Sequence, residues 1–186
     1  MSKRSRAGSF EPVRGGGAAI TLDQVETSIL RSLAVQFLEL LGPGDAPAGA
    51  EPDPLAELFA EGPTKPPEDP VLARLFPDAY EETADAAEFR RFTENDLRAR
   101  KREDALAMVR QLDSGGPRIQ LDPDQARQWL GALNDLRLAL GTRLEVTEDE
   151  DDELYRLSDD DPRKPLVMAY LWLGGLQESL VEALMP

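Results

Sequence analysis

Apolar residues recur along this chain at helical spacing over most of its length. From Val25, the positions Ile29, Leu33, Phe37 and Leu41 follow one another every four residues, which puts them on one face of a helix. Thr21 and Gln24 have the spacing of a capping box at its start, and Gly42-Pro43-Gly44 stops it. Thr83 to Gln111 contains neither Pro nor Gly; Phe89, Phe92, Leu106, Val109 and Leu112 are read as the core anchors of a long second helix. Asp122-Pro123 opens a third, in which Ala126, Trp129, Leu130, Leu133, Leu136, Leu140 and Leu144 fall three or four residues apart. The last helix, Pro165 to about Leu184, is apolar on nearly all sides at first, which predicts a central position.

Shorter elements fill the gaps. Asp53-Pro54 and Asp69-Pro70 each supply an N-cap and a proline at the first helical position, predicting two short helices strapped onto the core. Arg118-Ile119-Gln120-Leu121 alternates and predicts a strand that pairs near Val13 or Ile20, and Ser9 to Val13 is a second short strand. The expected plan is a flexible, basic, Gly-rich arm over 1–17, hinged at Gly15-Gly16-Gly17, and a single helical domain over 18–186. That domain carries a Pro-rich linker at 42–70 and an acidic loop at 145–161. The fold class is all-α, with about four main helices, short helices and a minor two-stranded β element.

Composition then removes chemistry. The 186 residues include no Cys and no His, which excludes thiol and imidazole catalysis, disulfides and the usual zinc sites. With 36 acidic and 21 basic residues the net charge is -15, so bulk DNA is an unfavourable partner and a basic or mixed protein surface a favourable one. The longest uncharged apolar run, Pro165 to Leu176, is shorter than the roughly 20 residues of a membrane span, and Ser9 to Gly17 gives no apolar core for a signal peptide. Cytosolic residence is the expectation.

The acidic run from Glu145 does not fit a calcium loop: counting from Asp149, the sixth position, where an EF-hand needs Gly, is Leu154. It reads as a solvated loop or as a steering element for a basic partner. Trp129 and Trp172 read as core anchors. No pair among the 36 carboxylates stands out for acid–base work, and no catalytic, cofactor or metal residue is assigned.

The candidates for partner contact are Arg90, Arg91, Arg98 and Arg102, in one stripe with Arg100 and Lys101, together with Asn134, Asp135, Arg137 and Arg143 on the polar side of the third helix. The stripe has two readings: an exposed face laced by Glu88–Arg91 and Glu94–Arg98 pairs, or a docking surface for acidic protein or for nucleic acid held by something else. Arg137 and Arg143 likewise either face a partner or cap carbonyls and neutralise the acidic loop.

Five segments taken together carry a resemblance. They are Leu30 to Leu41, Asp69-Pro70-Val71-Leu72-Ala73-Arg74-Leu75-Phe76-Pro77-Asp78-Ala79-Tyr80, Glu88 to Glu94, Leu133 to Leu144, and Tyr170-Leu171-Trp172-Leu173. The chain resembles the actinomycete oxidative-stress regulators, a family long catalogued as a domain of unknown function and encoded beside a Clp protease adaptor. The resemblance implies a cytosolic, non-enzymatic regulator of redox-responsive transcription that contacts a sigma factor or the transcription machinery; a homodimer or a subunit of a transient complex is the expected state. A paired-cysteine sensing mode is not carried over to a chain without cysteine. The rival classes are an accessory to Clp-type proteolysis and a carboxylate enzyme using a divalent ion.

Overall fold

Five helices and one three-stranded antiparallel sheet form the described part of the chain, α1 (Gln24–Leu41), α2 (Pro70–Leu75), α3 (Thr83–Leu112), α4 (Pro123–Arg143) and α5 (Lys164–Leu184) with β1 (Glu11–Pro12), β2 (Ala18–Thr21) and β3 (Arg118–Leu121). The structure is a computed structural model, and it describes residues 8–42, 62–114, 116–147, 154 and 156–185. The short helix predicted after Asp53 and most of the acidic run lie outside these residues.

Local chemistry sets each helix start. At α1 the capping box is Asp23 with Glu26, two residues beyond the expected Thr21 and Gln24: Asp23 Oδ1 accepts the Glu26 N–H at 2.8 Å and Glu26 Oε2 accepts the Asp23 N–H at 2.8 Å. Thr21 is unavailable because it belongs to β2, opposite Arg118, with its carbonyl accepting the Gly8 N–H at 3.1 Å. At α2, Asp69 Oδ1 accepts from Val71 and Leu72, and at α4 Asp122 and Gln125 form a second capping box. Both helices have Pro at their first position, as predicted from the Asp-Pro pairs.

The sheet runs β1-β2-β3, with Ile20 opposite Ile119 and Glu11 opposite Ala19. The predominantly helical class stands, but the β element has three strands where two were expected. The strand not expected is the middle one, β2, whereas β1 falls within the expected Ser9 to Val13 strand and belongs to the segment read as a flexible arm. Phe10 is buried edge-on against Trp129, ring centroids 5.8 Å apart, and its N–H donates to Ser179 Oγ at 3.2 Å, so residues 8–17 are fastened to α4 and α5. Gly15-Gly16-Gly17 is therefore a tight reversal between β1 and β2, all three at φ near +90° (92°, 92° and 86°), rather than a hinge.

At the centre of the core is α4, which packs on α1, α2, α3, α5 and β3. Its Ala126, Trp129, Ala132, Leu133, Leu136 and Leu140 are buried, and the Trp129 Nε1–H donates to Gln111 Oε1 at 2.9 Å, so the largest core side chain keeps its polar atom paired. This corrects the expectation that the last helix is central. In α5 only the Val167, Leu173, Leu176, Leu180, Ala183 stripe is buried; Met168 is exposed, and Leu166, Tyr170 and Trp172 are half-covered. No described helix is long and apolar enough to cross a membrane.

Two glycines test this architecture in opposite directions. A Cβ on Gly17 would lie 2.2 Å from the Leu121 carbonyl oxygen at a φ of +86°, so Gly17→Ala is expected to destabilise by about 2 kcal/mol or more. Gly175 lies inside α5 with nothing within 4 Å of its would-be Cβ, and Gly175→Ala should stabilise by about 1 kcal/mol. Urea titrations of both variants measure the two signs.

Candidate partner-binding site

The first half of α3 inverts the usual pattern of a surface helix. Its inward stripe runs Ala86, Arg90, Glu94, and the aromatic positions Phe89 and Phe92 point outward at 45% and 63% exposure. Both rings were expected in the core. They were displaced because residues 90 and 94, four apart on one helix face, form a buried ion pair, which fixes the rotation of the helix.

Arg90 is 5% exposed and Glu94 3%, with Arg90 Nη1 donating to Glu94 Oε2 at 2.5 Å. Arg90 Nη2 also donates to the Phe76 carbonyl at 3.0 Å and to Asp78 Oδ1 at 2.8 Å. Burial alone lowers the guanidinium's pKa, but the hydrogen bonds of Asp78 and Glu94 outweigh it and the net direction is up. Arg98 extends the network: its Nη2 donates to Glu94 Oε1 at 2.9 Å, its Nη1 donates to the Leu41 carbonyl at 2.9 Å, and its guanidinium sits 4.6 Å from the Phe76 ring centre. Arg102 Nη1 donates to the Gly42 carbonyl at 2.6 Å. The last turn of α1 contains no basic residue, so these two arginines of α3 satisfy its terminal carbonyls and oppose its negative end.

Asp135 of α4 is also buried and accepts from Lys101 Nζ at 2.7 Å. Burial pushes its carboxyl up, with Lys101 partly opposing this. Asp104 sits alongside, where a Cβ on Gly131 would come within 2.6 Å of its Oδ2, so α3 and α4 are in close contact here. Burial, then the charge of Asp135, raise Asp104 from 3.8 to about 6.

Four of the residues expected to meet a partner, Arg90, Arg98, Arg102 and Asp135, are thus engaged inside the fold. The correction follows from helix geometry: charged residues spaced three or four apart on α3 face the end of α1, the end of α2 and the middle of α4, where carbonyls and carboxylates need partners. Arg91 is half-buried, stacks its guanidinium 4.6 Å over Phe92, and accepts the Gly62 N–H on its carbonyl at 2.9 Å. Arg143 is exposed beside Leu33, Gln36 and Leu40 of α1.

Asn134 and Arg137 alone of the set meet at one surface, a cleft of about 830 Å³ between α2, α4 and α5. Arg74 of α2 and Tyr170 of α5, two residues not singled out from the sequence as site residues, also line it, and so does the carboxylate-bearing Glu145. Arg137 lies 5.2 Å from the Tyr170 ring centre and crosses Gly174, whose would-be Cβ is 3.5 Å from Arg137 Nε. The glycine thus makes room for a guanidinium. The chain then reverses at Glu145, at φ 54°, with the Val146 N–H donating to the Gly141 carbonyl at 3.0 Å, which brings Val146 and Thr147 to the cleft wall. Among the described residues neither Arg74 nor Arg137 has an ion-pair partner, so two guanidiniums are available to carboxylates at one mouth of a chain of net charge -15.

The fold defines a predominantly helical protein with a small antiparallel sheet and a cationic cleft at the end of its central helix. The chain belongs to the family described as "Domain of unknown function (DUF2017)", which matches it over residues 6–184. Its relatives include the "Oxidative stress regulator AosR" of Mycobacterium tuberculosis and of Mycobacterium bovis, each 32% identical over 177 residues, which cover 86% of this chain and 78% of the relative. The "Putative oxidative stress regulator AosR" of Mycobacterium leprae is 30% identical over 174 residues, 86% of this chain and 79% of the relative. No solved structure matches the chain. The family read from the five sequence segments is therefore the family found.

Two measurements probe the buried charges. Glu94→Ala strands two arginines and is expected to cost about 3 to 5 kcal/mol, read by chemical denaturation. Asp104 has a folded pKa above its unfolded one, so it holds its proton more tightly in the native chain. Its contribution is present below the unfolded value of 3.8 and is lost as pH rises through about 6. Asp104→Asn should accordingly raise Tm over the parent at about pH 7.5, and the difference should close as the pH falls to about 4.5.

Proposed function

We propose that this chain is a cytosolic regulator of the oxidative-stress response that acts by protein contact, with a sigma factor or the transcription machinery as its partner. The observation that carries the reading is the relationship to oxidative stress regulators over 86% of the chain. Direct DNA contact would have to overcome a net charge of -15, whereas a protein surface presenting carboxylates suits a cleft with two guanidiniums that have no ion-pair partner among the described residues. Arg74 and Arg137 bind those carboxylates in this scheme, Asn134 and Thr142 add hydrogen bonds at the wall, and Tyr170 supplies an apolar floor. Without a cysteine of its own, the chain takes its redox signal from the partner's state.

Crosslinked affinity purification from the native cytosol with mass spectrometry tests this reading, comparing the parent with Arg74→Glu/Arg137→Glu. Sigma factor or polymerase subunits are expected with the parent and lost from the double variant, most steeply at low salt. Recovery of Clp components instead, unchanged by the double variant, overturns it in favour of the proteolysis accessory.

A further inference from the structure

The outward aromatic stripe of α3 has its own architecture. Asp85, Phe89 and Phe92 lie four and then three residues apart along one helix edge, Glu88 lies four residues before Phe92, and Tyr80 of the preceding loop lines the same hollow. Together they line a hollow of about 430 Å³. Tyr80 is 52% exposed and meets Phe89 edge-on with ring centres 5.7 Å apart. The loop bearing Tyr80 is pinned from below, because Asp78 and the Phe76 carbonyl are both held by the buried Arg90. The rings are thus placed on a rigid base rather than left to collapse into the core.

Three exposed aromatic side chains lining one hollow, two of them in ring contact, form a concentrated apolar surface on and beside a helix segment that buries charge and exposes rings. Such an inversion of local rules marks a surface kept for recognition. The rim chemistry indicates what is recognised. Asp85 and Glu88 line the hollow, and the neighbouring Glu81 and Glu82 are exposed. Aromatic faces carry negative quadrupoles, so carboxylates beside rings select a cation that also has an apolar stem. Phe92 already holds one guanidinium, that of Arg91, at 4.6 Å.

We propose that Tyr80, Phe89 and Phe92, with the carboxylates of Asp85 and Glu88, form a receptor for an arginine or lysine side chain presented by a basic, amphipathic segment of a partner protein. This deepens the protein-contact reading on which it rests, at a surface lined by none of the residues of the Arg74–Arg137 cleft. The rings hold the cation and its stem, and the carboxylates fix its approach and exclude acidic segments.

The test uses the full chain and two synthetic probes, a Leu/Arg dodecapeptide and its Leu/Glu counterpart, followed by NMR shifts of the Tyr80, Phe89 and Phe92 rings and by fluorescence anisotropy. The Leu/Arg peptide is expected to shift these rings and the Leu/Glu peptide to leave them unmoved. Phe89→Ala/Phe92→Ala, which keeps the net charge and removes only exposed rings, should weaken the Leu/Arg peptide by about tenfold, the scale of one or two cation–aromatic contacts. Circular dichroism melting should show that variant folded as the parent is. Equal affinity of the ring-less variant would show that the basic peptide follows net charge alone and would falsify the receptor. A dimer of the parent in sedimentation that Phe89→Ala/Phe92→Ala converts to monomer would overturn it as well, since the rings would then be covered by a second copy of the chain.

Discussion

The buried pair of Arg90 and Glu94 is the interaction on which the arrangement of this protein turns. A lone guanidinium in the interior would carry a desolvation cost of several kcal/mol, and Arg90 offsets it with Glu94, Asp78 and the Phe76 carbonyl. Those acceptors come from α3 itself, from the loop and from the end of α2, so satisfying one cation fixes how three segments meet. Arg98 relays the same carboxylate to the last turn of α1. Removing either partner leaves charge stranded, whereas the intact set gives the α1–α2–α3 junction one geometry.

From that junction the two exposed features of the molecule follow. The rotation of α3 that buries Arg90 turns Phe89 and Phe92 outward and holds Tyr80 beside them. On the other side, α4 runs through the centre and delivers Arg137 and Asn134 to the cleft at its end, with Gly174 of α5 leaving room for the guanidinium. An acidic molecule thus presents a cationic cleft and an acid-rimmed aromatic hollow on different elements.

Much of the helical framework was legible in advance because it rests on local signals. The Asp-Pro starts at Asp69 and Asp122, the long uninterrupted run from Thr83 and the Ile20–Ile119 pairing depend on residues within a turn or on simple periodicity. The capping box at α1 was displaced by two residues because Thr21 was already engaged in the sheet. The site was far less legible. Asn134 and Arg137 reach the cleft, but Arg74 and Tyr170 come from other helices, and no spacing along the chain connects them. A hint did exist for α3: Arg90, Glu94 and Arg98 recur every four residues, a stripe as regular as any apolar one, beside rings that do not share it.

By itself the sequence determined the helical class, the helix starts, the acidic balance, the absence of thiol and imidazole chemistry, and the family. These are properties of composition and of contacts within a few residues, and they need no knowledge of what packs on what. Only the tertiary structure decided which charges are engaged inside the fold and which stay at its surface. Whether Arg90 meets solvent or Phe76, and whether Phe89 meets the core or the surface, depends on acceptors supplied by distant segments, because a buried charge is tolerated only where the whole fold brings it enough partners.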